Sequence, residues 1–120
     1  MIRFDKVSKD YHTSGRVLQD INLSIEPKEF VSIVGHSGAG KSTLLKILLA
    51  EEHPTEGLVT VEDVNIHRLG RKEINDFRRR IGMIFQDFRL LPNKTAFENI
   101  AFAMEAAGRD DDEIATDVPH

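Results

Sequence analysis

Apolar positions along the chain follow two different periods. From Ile2 to Val7 they alternate with polar ones (Ile2, Phe4 and, less cleanly, Val7), and from Gln19 onward Ile21, Leu23 and Ile25 share one face. Such alternation predicts half-buried strands. Ser8 to Arg16 between them is turn-like, with Ser14-Gly15 as the tight turn, and Pro27-Lys28 turns the chain into the next element. Two apolar runs without alternation, Phe30-Val31-Ser32-Ile33-Val34 and Ile81-Gly82-Met83-Ile84-Phe85, predict strands buried on both faces. Leu58-Val59-Thr60-Val61 and Val64-Asn65-Ile66 predict one more strand, interrupted by a turn at Glu62-Asp63. The first strands are short, turn-linked and one-sided, which predicts an antiparallel sheet.

The helical period appears elsewhere. Leu44 to Ala50 carries good helix formers, and Arg71 to Arg79 is a polar helix with a narrow stripe at Ile74 and Phe77. Thr95-Ala96-Phe97-Glu98 has the capping-box pattern, with Phe97, Ile100, Ala101 and Met104 on one face and Gly108 placed to close the helix. Asp110-Asp111-Asp112-Glu113 suits the N-terminus of another helix.

Between the run ending at Val34 and the helix beginning near Leu44 lies Gly35-His36-Ser37-Gly38-Ala39-Gly40-Lys41-Ser42. This is the spacing of a phosphate-binding loop in its strand–turn–helix context. Gly35, Gly38 and Gly40 let the main chain approach phosphate oxygens, and the amides of Ser37, Ala39 and their neighbours can then point inward as an anion nest. Lys41 would reach the β- and γ-phosphates, the Ser42 hydroxyl would ligand Mg²⁺, and Thr43 is placed for the α-phosphate. The plainer alternative is an ordinary glycine-rich turn.

Composition narrows the class. The chain has 120 residues, a net charge of -4 and no cysteine, so there is no basic field for nucleic acid and no disulfide or thiol chemistry. No run approaches the length of a membrane-spanning helix and the N-terminus is not a signal peptide. A cytoplasmic chain is expected, with any membrane association arising through a partner.

Other residues could carry chemistry. Tyr11, the sole tyrosine, lies after the first predicted strand and could stack on a purine, with Val17 closing the other side. Each could equally cover a turn or fill a core. Gln86 ends the Ile81–Phe85 run, where its amide could contact Mg²⁺ or the attacking water, or simply terminate a strand. His36 occupies a variable position of the loop, and His12, His53, His67 and His120 show no helical metal-site spacing. Phe88-Arg89-Leu90-Leu91-Pro92 could form a docking surface or cover the core.

Tyr11, the Gly35–Ser42 loop and Gln86, in that order, resemble the N-terminal half of an ATP-binding subunit of the ABC-transporter family. The resemblance implies an α/β fold: a truncated P-loop NTPase core with an N-terminal antiparallel β subdomain. Residues 1–120 would then comprise that subdomain, the core up to the glutamine loop, and the start of the helical subdomain. It also implies an aromatic on adenine, ATP with Mg²⁺ in the loop, and a glutamine linking the site to a membrane subunit. The runs His36–Lys46 and Gly82–Pro92 are similar to the cell-division branch of the family. That branch implies a polytopic membrane partner of the cell-division complex, a homodimer in the full-length protein, and a place at the inner face of the plasma membrane.

The chain has no LSGGQ-type signature, no aspartate-ended strand with a following glutamate, and no switch histidine. It is therefore expected to be a truncated piece that binds nucleotide without turnover and self-associates through strands left unpaired. Subunits for lipoprotein release or amino-acid uptake, a P-loop kinase or GTPase, and a non-hydrolysing structural module remain alternatives.

Overall fold

In the computed structural model, which describes residues 1–13 and 15–118, β1 (Ile2–Tyr11) and β2 (Gly15–Ile25) form an antiparallel hairpin. β1 also pairs antiparallel with β3 (Glu56–Val61), which turns back into the short β4 (Val64–Asn65), giving the order β2-β1-β3-β4. The expected antiparallel sheet is present. It is longer than its alternation suggested: β1 continues through the stretch read as turn-like, so Tyr11 ends a strand rather than lying in a loop. Of the predicted Ser14-Gly15 turn, Ser14 lies outside the described residues, while Gly15 has φ 73°.

The imperfect alternation at Val7 has a structural cause. Phe4, Val7 and Ser8 are all buried, a pattern no regular strand produces. The register shifts between Phe4 and Val7, and Lys6 takes φ 48° while Asp20 takes φ 46°. These bulges move side chains to the other face. Side chains satisfy the displaced amides: Lys6 N–H donates to Asn22 Oδ1 at 3.0 Å, and Asp20 N–H donates to the buried Ser8 Oγ at 3.0 Å.

β3 crosses this irregularity at Gly57. With φ 82°, a Cβ there would fall inside contact distance of the Lys6 carbonyl oxygen and 2.5 Å from that of Asp5. Helix α1 (Lys41–Leu48) adjoins β2 and buries Leu44 and Ile47, while Phe4, Leu18, Val59 and Ile66 complete the apolar interior of this unit. Ile66 opens a 3-10 turn (Ile66–Arg68) rather than extending β4.

The chain divides into a unit of residues 1–75 and a second from residue 76 onward, with α2 (Arg71–Arg79) spanning the boundary. In the second unit α3 (Ala96–Ala106) and α4 (Asp111–Asp117) both begin with complete capping boxes, at Thr95 and Asp110. The Glu98 carboxylate accepts from Thr95 N–H and pairs with Lys94, which holds its pKa at about 2. Asn99 adds a contact that local pattern did not reveal. Its amide accepts from Leu91 N–H at 2.7 Å and donates to the Thr95 carbonyl at 2.9 Å, tying the preceding loop to α3.

Two predicted strands are not strands. Neither Phe30–Val34 nor Ile81–Phe85 joins a ladder among the described residues, and Phe30, Val34 and Ile84 are 93%, 87% and 90% exposed. An apolar, β-branched run prefers extended backbone, but it becomes a strand only when a neighbour supplies hydrogen bonds and covers its faces.

Candidate functional site

The glycine-rich stretch forms a tight bend into α1. Ala39 N–H donates to the His36 carbonyl at 3.2 Å, and Gly38 and Gly40 take φ 80° and 84°. Gly40 is the N-cap residue and offers no side-chain cap, and the first helical bond is Leu44 N–H to Gly40 O at 2.9 Å. The amides of Lys41, Ser42 and Thr43 precede that bond and have no acceptor within the helix. A bare helix N-terminus with its dipole directed outward suits an anion.

Lys41 closes the bend from the opposite side. Its ammonium donates to the carbonyls of Gly35 at 2.8 Å and His36 at 2.7 Å. His36 turns inward on its own loop, with Nδ1 donating to the Ser37 carbonyl at 2.8 Å. Ser42 is exposed on the first turn of α1 and Thr43 is half-buried. A triphosphate fits this arrangement: uncapped amides, left-handed glycines and a flexible cation converge at one helix end. The Ser42 hydroxyl, exposed beside them, suits a hard divalent cation. Among the described residues no group of three or more His, Cys, Asp or Glu side chains is placed to hold a metal. A groove of about 430 Å³ adjoins the bend, lined by Leu18, Ile21, Leu23, Ile33 and Leu44 together with Gly40 and Lys41.

The hairpin end comes close to this bend through Val17. A Cβ on Gly40 would lie 2.7 Å from Leu18 Cδ2 and 3.0 Å from the Val17 carbonyl oxygen, so the missing side chain is what admits β2 here. Tyr11 lies at the same hairpin end, paired with Gly15, and is half-buried. Asp10 and Arg16 hold that end with a bidentate ion pair, 2.8 Å at both contacts, and Arg16 also reaches Glu56 at 3.4 Å. Hydrogen bonding from the Arg16 guanidinium keeps the Asp10 carboxyl below its usual range. No sequence signal marked this pair, because residues six apart meet only when the chain reverses.

Gln86 belongs to the other unit. It does not end a strand but begins an exposed turn, where Phe88 N–H donates to the Phe85 carbonyl at 3.1 Å. Phe88 and Arg89 take φ 57° and 48°, and the Arg89 guanidinium lies 3.7 Å from the centre of the Phe85 ring. Of the histidines singled out, His120 lies outside the described residues. His53 and His67 are neighbours, with ring centres 5.0 Å apart at 54°.

His67 should make the stability of the first unit depend on pH. Both its ring nitrogens are buried without a hydrogen-bond partner, and the nearby Ile47 backbone offsets only part of the cost of charging the ring. Burial, then the neighbouring His53 and Lys9, lower its pKa below the ordinary 6.5. The unfolded chain therefore takes up a proton where the folded chain does not, so stability is present above that value and falls as pH drops below it. Urea midpoints measured from about pH 7 to pH 5 should decline, and His67→Leu should flatten the slope. An unchanged slope in the variant would remove His67 as its origin.

A family model described as ABC transporter matches residues 18–119. The cell division ATP-binding protein FtsE of Mycobacterium tuberculosis is 46% identical over 120 residues, covering 99% of this chain and 52% of that protein. FtsE of Bacillus subtilis is 46% identical over 108 residues (90% and 47%), and the methionine import ATP-binding protein MetN 2 of Bacillus cereus 46% over 110 (89% and 32%). Among solved structures, a dimeric bacterial ABC transporter cassette superposes with a TM-score of 0.87 at 36% identity, over 97% of this chain and 53% of that one. A dimeric post-hydrolysis cassette bound to ADP and Pi gives 0.86 at 35% identity, with the same coverage. The chain spans about half the length of the FtsE relatives it matches.

Proposed function

Because this chain belongs to the ABC transporter family of ATP-binding subunits and has their α/β cassette fold, with an antiparallel sheet at its N-terminus, we propose that it binds ATP with Mg²⁺ through the Gly35–Thr43 bend. The observation that carries this reading is the uncapped start of α1 behind two left-handed glycines, with the Lys41 ammonium resting on loop carbonyls. The main chain from Gly35 through Ser37 and Ala39 to Gly40 wraps the phosphates. Lys41 would exchange its carbonyl contacts for β- and γ-phosphate oxygens, Ser42 would hold the metal, and Thr43 would meet the α-phosphate. Bound Mg²⁺ would neutralise phosphate charge. Tyr11 would stack on adenine with Val17 beside it.

In this reading the chain is the N-terminal portion of a cassette domain: β subdomain, loop core, glutamine loop and the start of the helical subdomain. The protein it represents is a cell-division ATPase subunit, coupling ATP binding and hydrolysis to a polytopic membrane partner at the inner face of the plasma membrane. The FtsE similarity over nearly the whole chain supports that role. The exposed Phe88, Leu90 and Leu91 supply an apolar surface for the partner. The unpaired Phe30–Val34 and Ile81–Phe85 runs favour self-association, and the dimeric cassettes among the structural relatives support a homodimer for the longer protein. An uptake subunit is a second reading, since MetN 2 of B. cereus is also 46% identical.

Calorimetric titration with Mg-ATP tests the assignment. One-to-one saturable binding, displaced by ADP more readily than by GDP, is the expected result. A flat trace, or preference for guanine, would overturn it.

A further inference from the structure

Lysine is among the residues least often buried, yet the Lys9 side chain is only 13% exposed. Its ammonium is held on three sides. It donates to the His53 carbonyl at 2.7 Å, pairs with the Glu52 carboxylate at 3.0 Å, and lies 4.9 Å from the centre of the Tyr11 ring. The partners come from different elements. Tyr11 ends β1, while Glu52 and His53 belong to the loop leaving α1, whose opposite end carries Lys41 and Ser42.

That loop is itself fixed. Glu51 and Glu52 N–H donate to the Lys46 carbonyl at 2.9 and 3.2 Å, Thr55 N–H donates to the Ser8 carbonyl at 2.9 Å, and Asp10 N–H donates to Thr55 Oγ1 at 2.9 Å. A continuous set of contacts therefore runs from the helix that starts at the phosphate bend to one face of the Tyr11 ring. With a cation on that face, an incoming aromatic ring would have to take the other one.

We propose that Lys9 is a positioning residue for purine binding: it pins the Tyr11 ring against the Glu52–His53 loop and commits the opposite face to the base. This rests on the reading that Tyr11 stacks on adenine. An ion pair that merely joined β1 to the loop would stabilise the sheet but would not distinguish a nucleotide from a bare polyphosphate.

Tyr11 is the only tyrosine and the chain has no tryptophan, so intrinsic emission reports this ring alone. The experiment titrates Mg-ATP and Mg-tripolyphosphate into the wild type, Lys9→Met and Tyr11→Ala, reading heat and, where Tyr11 is present, its emission. Lys9→Met should weaken ATP binding about threefold to tenfold, leave tripolyphosphate within about twofold, and reduce the ATP-dependent change in Tyr11 emission. Equal weakening of both ligands, or wild-type ATP binding with an unchanged emission response, would overturn the role. Should Lys9→Met fail to unfold cooperatively, Glu52→Gln, which loosens one anchor and keeps the ammonium, carries the same comparison. If Tyr11→Ala binds ATP like the wild type, the stacking reading itself fails. If Tyr11→Ala loses affinity while Lys9→Met does not, only the positioning role falls.

Discussion

Replacing Lys41 with alanine should remove Mg-ATP binding by on the order of a hundredfold while leaving the fold in place. The ammonium rests on the carbonyls of Gly35 and His36, two neutral acceptors on an exposed loop. Exchanging those contacts for β- and γ-phosphate oxygens replaces bonds from a charged donor to neutral carbonyls with bonds in which both partners are charged, and hydrogen bonds to charged groups are worth about 1.5–3 kcal/mol each. Alanine forfeits them and leaves only the loop amides to hold the triphosphate. The folded state loses little, because α1 is anchored by Leu44 and Ile47 on its buried face. Calorimetry with Mg-ATP checks the first part and thermal unfolding the second. Affinity within about threefold of wild type would show that the bend does not hold nucleotide phosphate through this side chain.

Gly57→Ala should be the most damaging single methyl group in the sheet. Its φ of 82° strains any L-residue, and the added carbon would collide with the carbonyl oxygens of Asp5 and Lys6. Both obstacles are backbone held in the β1 bulge, so neither can swing aside as a side chain would. The left-handed conformation alone costs about 1–2 kcal/mol, and relieving the collision means separating β3 from β1, so a loss of about 3 kcal/mol or more is expected. That is a large part of the stability of a small domain, which runs to about 5–15 kcal/mol. Gly108→Ala is the control: it has φ 86° with nothing within 4 Å of an added Cβ, so it should show only the conformational part. Urea midpoints of the two variants make the comparison. Equal midpoints would mean that β3 yields easily at Gly57.

Features set by neighbours in the chain could be read directly from the residues. The capping boxes at Thr95 and Asp110 need only a hydroxyl or carboxylate and a glutamate three positions on, and both form. The polar helix over Arg71–Arg79 and the glycines that turn Val34 toward Lys41 are similarly local. The phosphate-loop spacing is local as well, since its glycines and the following helix supply their own geometry.

Features that depend on distant partners were hidden or misread. Phe30–Val34 and Ile81–Phe85 carry every residue preference of a buried strand, yet neither joins a sheet among the described residues, because preference supplies no neighbouring strand. The reverse happened at Tyr11, where polar residues read as a turn are drawn into β1 by pairing with β2. The burial of Ser8, the Asp10–Arg16 pair and the Lys9 cluster exist only once a bulged hairpin is laid beside the loop from α1. Short-range chemistry is written in consecutive residues, so composition and spacing were enough to place the glycine bend and the starts of α3 and α4. Which faces are covered, which cations are held and which aromatic ring a cation meets depend on contacts tens of residues apart, and those become visible only when the chain has folded.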